Sequence, residues 1–282
     1  MFNRLISVFV PYVKSPGSWL KNVIWRMPST VSDVKVVFVM GSPRSGTTLL
    51  QKVIESHDNF FSIQGETGIF SYQNIFDTNR RHFGLDSNQQ TELLNASKDI
   101  VDFFDKSVKL ISINNEGKTF VEKTPQHVIY LAKLVKYFPN ARFVNIVRDG
   151  RDCFCSAKHH KNIPQRRSVD TFANYWKKCV LPPLLLKTNE NIFTVRYEDF
   201  AGNPSDELSR LMLFLNDEIM QKQLDPNVYG NDRRASNKNF KKLNESINTS
   251  SVSRWKQELN DREKAAFIDI AGDELSAYGY EV

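Results

Sequence analysis

Short apolar runs and longer stretches of helical period follow one another along this chain. Residues 34–40 (VKVVFVM), apolar except for Lys35, read as a buried strand. A glycine-containing turn then leads into a helical pattern from about Thr47 to Ser56. Residues 59–64 predict a short second strand. Between 89 and 111, Leu93, Leu94, Ile100, Val101, Phe104 and Val108 fall on one face, which predicts a single amphipathic helix. A short strand at 119–122 follows an Asn-Asn-Glu-Gly turn. Thr124 is then placed to cap a helix with Pro125 at its first position, running to about Phe138. Pro139-Asn140 turns the chain into a β-rich run at 142–147 (RFVNIV), followed by a helix from Asp149 towards His160. Residues 192–196 give the last clear strand, 226–250 read as a long irregular segment, and helices at about 251–260 and 261–277 close the chain. The alternation predicts an α/β fold: a central parallel β-sheet of P-loop type flanked by helices, in a single domain with a helical C-terminal part.

Composition narrows this little. The 282 residues can bury a full core, and 40% hydrophobic with 25% charged residues is ordinary for a globular protein. A net charge of +6 and a pI near 9.1 point to an anionic ligand or surface without separating nucleic acid, lipid headgroups and phosphorylated small molecules. No nucleic-acid-binding motif is present, so nucleic acid is not expected as a partner. Three cysteines without a CxxC spacing give neither a zinc site nor a disulfide framework, which favours a reducing, cytoplasmic setting.

Near the N-terminus, Phe2, Leu5, Ile6 and Phe9 have helical spacing until Pro11 interrupts them. The apolar run is far shorter than the roughly 20 residues of a membrane span, and no small-residue cleavage site comes after it. With Arg4, Lys14, Lys21, Arg26, Trp19 and Trp25, residues 1–27 suit an anionic membrane surface, which would make the protein peripheral on the membrane. Packing of this stretch on its own domain is equally consistent. The expected division is an N-terminal extension at 1–30 and one domain at 31–282.

The sharpest local feature is Gly41-Ser42-Pro43-Arg44-Ser45-Gly46-Thr47-Thr48, directly after a strand and opening a helix. Backbone N–H groups of such a loop converge on a phosphate, and the helix start adds partial positive charge. Its spacing matches the nucleotide-triphosphatase loop G-x-x-x-x-G-K-[ST], except that Thr47 stands where the lysine belongs and Arg44 supplies the cation.

With these residues the chain resembles the sulfotransferases that use 3′-phosphoadenosine 5′-phosphosulfate (PAPS). In that family the loop holds the 5′-phosphosulfate, which implies Gly41, Pro43, Arg44, Ser45, Gly46, Thr47 and Thr48 as donor contacts. Its second signature is an arginine at a strand end with a serine eight residues later, both on the 3′-phosphate. Here FVNIVRDGRDCFCSAKHH supplies Arg148 and Ser156 at that spacing. The closest likeness is to the branch of tyrosylprotein sulfotransferases and bacterial glycan or lipid sulfotransferases. Gln64-Gly65-Glu66-Thr67 resembles the segment whose glutamate is the general base there. Glu122-Lys123-Thr124-Pro125 resembles the strand end whose lysine contacts the bridging oxygen and the sulfuryl group. Val195-Arg196-Tyr197-Glu198-Asp199 resembles the strand whose tyrosine lies near the adenine. The stretch from Ser250 to Trp255 is similar to one that closes over the donor, implying Ser251 and Arg254 as contacts.

The chain also departs from the family. Pro125 occupies the place of the histidine base of cytosolic small-molecule sulfotransferases, and His127, two residues on, is expected to pack or cap. No Arg-Lys-Gly signature lies in 226–250, where Arg233, Arg234, Lys238, Lys241 and Lys242 are available as charge.

The resemblance implies in-line transfer of a sulfuryl group to an acceptor hydroxyl on a glycan, a lipid, or a tyrosine or other phenol. Glu66 would be the base, Arg44 and Lys123 the charge-stabilising groups, and adenosine 3′,5′-bisphosphate (PAP) the product; no metal is expected. Glu66 read locally could instead be a helix-start carboxylate, if a helix begins near Thr67. Two other classes stay open at this point: a P-loop kinase acting on a small hydroxyl, and a non-catalytic basic protein of membrane surfaces. Nothing in the sequence gives the oligomeric state.

Overall fold

In the computed structural model, residues 16–71, 75–76, 82–160, 163–230 and 243–282 are described, with side chains from residue 20 onward. The expected N-terminal apolar run and the cations between 233 and 242 lie outside them. Five strands form one sheet: β1 (Val36–Gly41), β2 (Phe60–Ser62), β3 (Thr119–Lys123), β4 (Arg142–Val147) and β5 (Ile192–Arg196). Their order is β2-β3-β1-β4-β5, and every pairing is parallel. The helices are α1 (Pro16–Trp25), α2 (Thr47–Glu55), α3 (Ser87–Ala96), α4 (Ile100–Ile113), α5 (Leu131–Tyr137) and α6 (Gly150–Lys158). They continue with α7 (Val169–Leu185), α8 (Tyr197–Gly202), α9 (Pro204–Phe214), α10 (Pro226–Tyr229), α11 (Trp255–Glu258) and α12 (Asp261–Ala277).

β1 is buried along its whole length, so its apolar run has no polar alternation. Its side chains still separate by face at period two. Val36, Phe38 and Met40 enter a phenylalanine-rich layer in which Phe38 stacks on Phe143 at 5.4 Å and on Phe104 at 5.5 Å. Val37 and Val39 face the other way, onto Leu50, Val53 and Ile54 of α2. A third core joins α6, α7 and α12 through Phe154, Trp176 and Phe267. The register places the functional edge of the sheet. Val39 pairs with Lys123, Gly41 with Ile146, and Val147 with Arg196, so the chain leaves all of these strands along one edge. The order also reverses at β1, and ligands of open α/β sheets bind at such switch points beyond the carboxyl ends of the strands.

Three local expectations change. The single helix expected at 89–111 is two, α3 and α4, broken at Asp99. The Asp99 carboxylate caps the Val101 and Asp102 N–H groups with one oxygen and accepts from Ser29 and Thr30 with the other. That long-range tether outweighs a continuous apolar face. Thr124 starts a 3₁₀ turn (Pro125–Tyr130) ahead of α5 and makes no capping bond, because its hydroxyl is committed to Glu122 and Gly68. The helix expected at 251–260 is reduced to α11, since Asp152 takes the Ser253 and Trp255 N–H groups. The long helix α7 has no clean signal in the sequence, because Pro182 and Pro183 sit inside it.

One buried carboxylate gives a test of stability. Asp105 of α4 is 6% exposed and accepts from Ser32 Oγ at 2.7 Å. Burial pushes its pKa up to about 6 from an ordinary 3.8; the Ser32 hydrogen bond opposes this and the Asp33 charge adds to it. Because the folded value is the higher one, protonation favours the fold below about pH 4, and this contribution is lost as pH rises through 6. Asp105→Asn therefore raises Tm at pH 7.5 by roughly 2–6 °C and changes it much less at pH 4. Calorimetry at the two pH values reads the difference; an equal shift at both would remove the buried charge as its cause.

Candidate active site

The loop at 41–48 is shaped by contacts that only glycine permits at its ends. A Cβ on Gly41 would lie 2.3 Å from the carbonyl oxygen of Ile146 on β4. Gly46 has φ +105°, and a Cβ there would meet the Tyr197 ring at 2.9 Å. Ser45 closes the turn on Ser42 O through both its N–H and its hydroxyl. Gly46 precedes α2 without any side-chain cap, so the first N–H groups of this helix have no side-chain acceptor. Arg44 takes φ +73°, a left-handed conformation that costs a non-glycine residue about 1–3 kcal/mol and gathers at functional sites.

Both signature segments meet this loop. Arg44 Nε donates to Ser156 Oγ of α6 at 3.0 Å, across 112 residues of sequence. Arg148, at the end of β4, is 5% exposed and donates to Arg44 O at 3.1 Å and to Ser251 O. Its guanidinium lies over Tyr197 at 4.6 Å, and its Nε is buried without a partner. Burial and the nearby Arg148 charge together push the Arg44 pKa down. Two crowded guanidiniums, a glycine-edged loop and an uncapped helix start are the donor set an anion needs, so the residues present fit a nucleotide carrying phosphates. Tyr197 opens α8 and lies between Gly46 and Arg148. Arg254 Nε donates to Glu258 Oε1 of α11 at 2.7 Å.

Lys123 ends β3 with a side chain 2% exposed, and its Nζ donates to Glu66 Oε1 at 2.8 Å. Glu66 is 31% exposed and sits in a loop. Among the described residues no helix starts at Thr67 or within the stretch to Ser71, so Glu66 is not a helix-start carboxylate. The loop is held from beneath by Glu122, which the sequence did not single out. The Glu122 carboxylate is 1% exposed and accepts from Thr67 Oγ1 at 2.6 Å, Thr124 Oγ1 at 2.7 Å and His127 Nδ1 at 2.9 Å. Burial raises its pKa, but His127 and the two hydroxyls outweigh this and hold it below the ordinary range. Phe70 N–H donates to His127 Nε2, so this fully buried ring spends both nitrogens on structure. His127 packs, as expected, and offers no base.

Asp152 and Arg151 are the other residues that the motifs miss. Asp152 holds the backbone of 253–255, and the Arg151 guanidinium lies 3.6 Å from the centre of the Trp255 ring. Together with the bond from Arg148 to Ser251, they fix the C-terminal stretch over the start of α6. The signal available was the charge pattern Arg-Asp-Gly-Arg-Asp at 148–152.

A sequence profile of the sulfotransferase family matches residues 36–220. The chain is 24% identical to a putative protein-tyrosine sulfotransferase of Caenorhabditis briggsae, over 88% of its own length and 89% of that protein's. Among solved structures it resembles the sulfotransferase domain of the Synechococcus PCC 7002 olefin synthase, with a TM-score of 0.68 at 18% identity, covering 90% of this chain and 98% of that one. A mouse sulfotransferase complexed with PAP superposes with a TM-score of 0.56 at 14% identity over 92% of this chain and 91% of its own. These likenesses give the fold, and the profile gives the family. The cation of the loop stands at Arg44 rather than in the lysine position of a P-loop kinase. The chain belongs to the sulfotransferase family, and it is a sulfotransferase.

Proposed function

We propose that this sulfotransferase takes its sulfuryl group from PAPS and delivers it to an acceptor hydroxyl, with Glu66 as the general base. When bound, PAPS supplies the sulfuryl group and a 5′-phosphate leaving group. The loop at 41–48 and the start of α2 hold the 5′ end, while Arg148 and Ser156 recognise the 3′-phosphate. Tyr197 flanks the adenine, and Ser251 and Arg254 belong to the stretch that covers the nucleotide. Glu66 accepts the proton of the attacking hydroxyl. Arg44, Lys123, Thr47 and Thr48 meet the negative charge that grows on the sulfuryl oxygens and the bridging oxygen. These groups answer the charge without a metal, and the proposal assigns none.

The observation that carries the donor is the bond from Arg44 to Ser156, with Arg148 on Arg44 O: the two phosphate signatures form one surface. The acceptor class is a hydroxyl of a glycan, a lipid, or a tyrosine or other phenol. The domain proper is taken as residues 31–282, with 1–30 as an extension, in a cytoplasmic protein.

Ser156→Ala tests the assignment. It removes a charge-assisted hydrogen bond worth about 1.5–3 kcal/mol, so PAP binds roughly tenfold or more weakly. Adenosine 5′-phosphate, which lacks the 3′ group, binds as before. Calorimetry of both ligands on folded protein decides it, and equal losses would place Ser156 away from the 3′-phosphate.

A further inference from the structure

Among its described side chains, helix α1 touches the domain with one face only. Asn22 and Trp25 are buried there: Asn22 Oδ1 accepts from Ile75 N at 3.1 Å, and Trp25 meets Phe76 edge-on at 4.8 Å. Arg26 donates to Phe70 O at 3.1 Å. The opposite face carries Leu20, Val23 and Ile24, and just beyond the helix Met27, at positions i, i+3, i+4 and i+7. They are 55%, 37%, 54% and 69% exposed, and Val31 at 59% continues the stripe. Single exposed apolar residues need no explanation, but a contiguous stripe marks an interaction surface.

Charge identifies the occupant. Residues 1–32 contain Arg4, Lys14, Lys21 and Arg26 and neither aspartate nor glutamate. Lys21 lies over the Trp25 and Phe76 rings. Arg26 is half-buried, with Nε and one terminal nitrogen buried and without a hydrogen-bond partner, beside a cleft of about 80 Å³ lined by Phe70, Tyr130 and Lys133. An apolar stripe in a segment whose charged residues are all cations is complementary to anionic headgroups above an acyl layer. We propose that α1 docks this protein on an anionic lipid bilayer, with Leu20, Val23, Ile24 and Met27 entering the boundary between headgroups and acyl chains.

The helix that carries the docking stripe is also tied to the segment that follows Glu66. Through Asn22, Trp25 and Arg26, α1 is clamped to Ile75, Phe76 and Phe70 of that segment. Docking therefore brings Glu66 towards the bilayer and favours an amphiphile whose hydroxyl lies at the lipid–water boundary. This consequence rests on the sulfuryl-transfer reading; the docking does not.

The test uses the full chain with vesicles of phosphatidylcholine, with and without phosphatidylserine. The protein should sediment with the anionic vesicles, less so in high salt, and stay in solution with the neutral ones. The Leu20→Ser/Ile24→Ser variant should lower the bound-to-free ratio by on the order of tenfold or more, with Tm and PAP affinity unchanged. Met27→Glu should do the same through charge. The proposal is overturned if the wild type stays in the supernatant, or if both variants sediment as it does. It is equally overturned if the wild type is a dimer in solution that Leu20→Ser/Ile24→Ser makes monomeric, because a second copy then covers the stripe. PAP affinity, measured on the same samples, reports separately on the nucleotide site.

Discussion

Glu66→Gln lowers kcat on an alcohol acceptor by about 10²- to 10⁴-fold and leaves the affinity for PAP close to that of the wild type. The amide keeps the size of the side chain and can still accept from Lys123, so the loop at 64–68 stays in place. What it loses is the ability to take a proton at neutral pH. Only Oε1 of Glu66 is engaged by a described residue, which leaves Oε2 for the acceptor hydroxyl. A phenol that is already acidic needs less help in losing its proton, so the defect shrinks with such an acceptor. Single-turnover rates with the two acceptor types, measured where chemistry limits, read this contrast. Near-normal kcat on the alcohol would end the assignment of Glu66 as base. His159 and His160 would then be the next groups to test, because His127 is buried and fully bonded.

Features were legible in the sequence to the extent that their signals are local. β1 and β4 are central strands buried on both faces, so they read as mostly apolar runs without regular polar alternation, and their ends fall within two residues of the expected ones. The loop at 41–48 was legible for a different reason. Glycine is required at two fixed positions by the Ile146 carbonyl and the Tyr197 ring, and that requirement writes a spacing into the chain. Arg148 and Ser156 could be singled out only through the resemblance, because they keep the eight-residue spacing of the family's second signature.

Apart from α7, which its own prolines conceal, the illegible features depend on partners remote in sequence. The break between α3 and α4 needs Ser29 and Thr30, about seventy residues away from Asp99. Glu122 looked like part of a strand end, and its partner Thr67 lies 55 residues back. The shortening of the last-but-one helix comes from Asp152, about a hundred residues earlier. A carboxylate that organises a site through the fold leaves no period and no spacing to find.

The buried carboxylate of Glu122 links the two side chains proposed to act on the sulfuryl transfer, Glu66 and Lys123. Glu122 precedes Lys123 on β3 and anchors Thr67, the next residue after Glu66 in the chain. The strand that presents the ammonium is thereby tied to the loop that presents the carboxylate. Their 2.8 Å contact is thus set from both sides, before any substrate arrives. Lys123 also carries its charge in a side chain only 2% exposed, where electrostatic stabilisation is stronger than in water.

Lys123→Ala accordingly lowers kcat by about 10²- to 10³-fold, the range seen when one preorganised charge-stabilising group is removed. Its dependence on the acceptor separates it from Glu66→Gln. The lysine answers charge on the leaving side, which develops whatever the acidity of the acceptor, so the defect persists with an acidic phenol. Because Lys123 also orients Glu66, the two substitutions share part of their effect, and the double variant loses less than the product of the single losses. Lys123→Met, which keeps the length of the side chain, separates lost charge from lost packing and should be as slow as Lys123→Ala. PAP affinity and Tm, measured alongside, confirm that the nucleotide site and the fold survive. If the Lys123→Ala defect instead vanishes with the acidic phenol in step with that of Glu66→Gln, Lys123 serves only to position the base, and Arg44 is left as the side chain that meets the leaving charge.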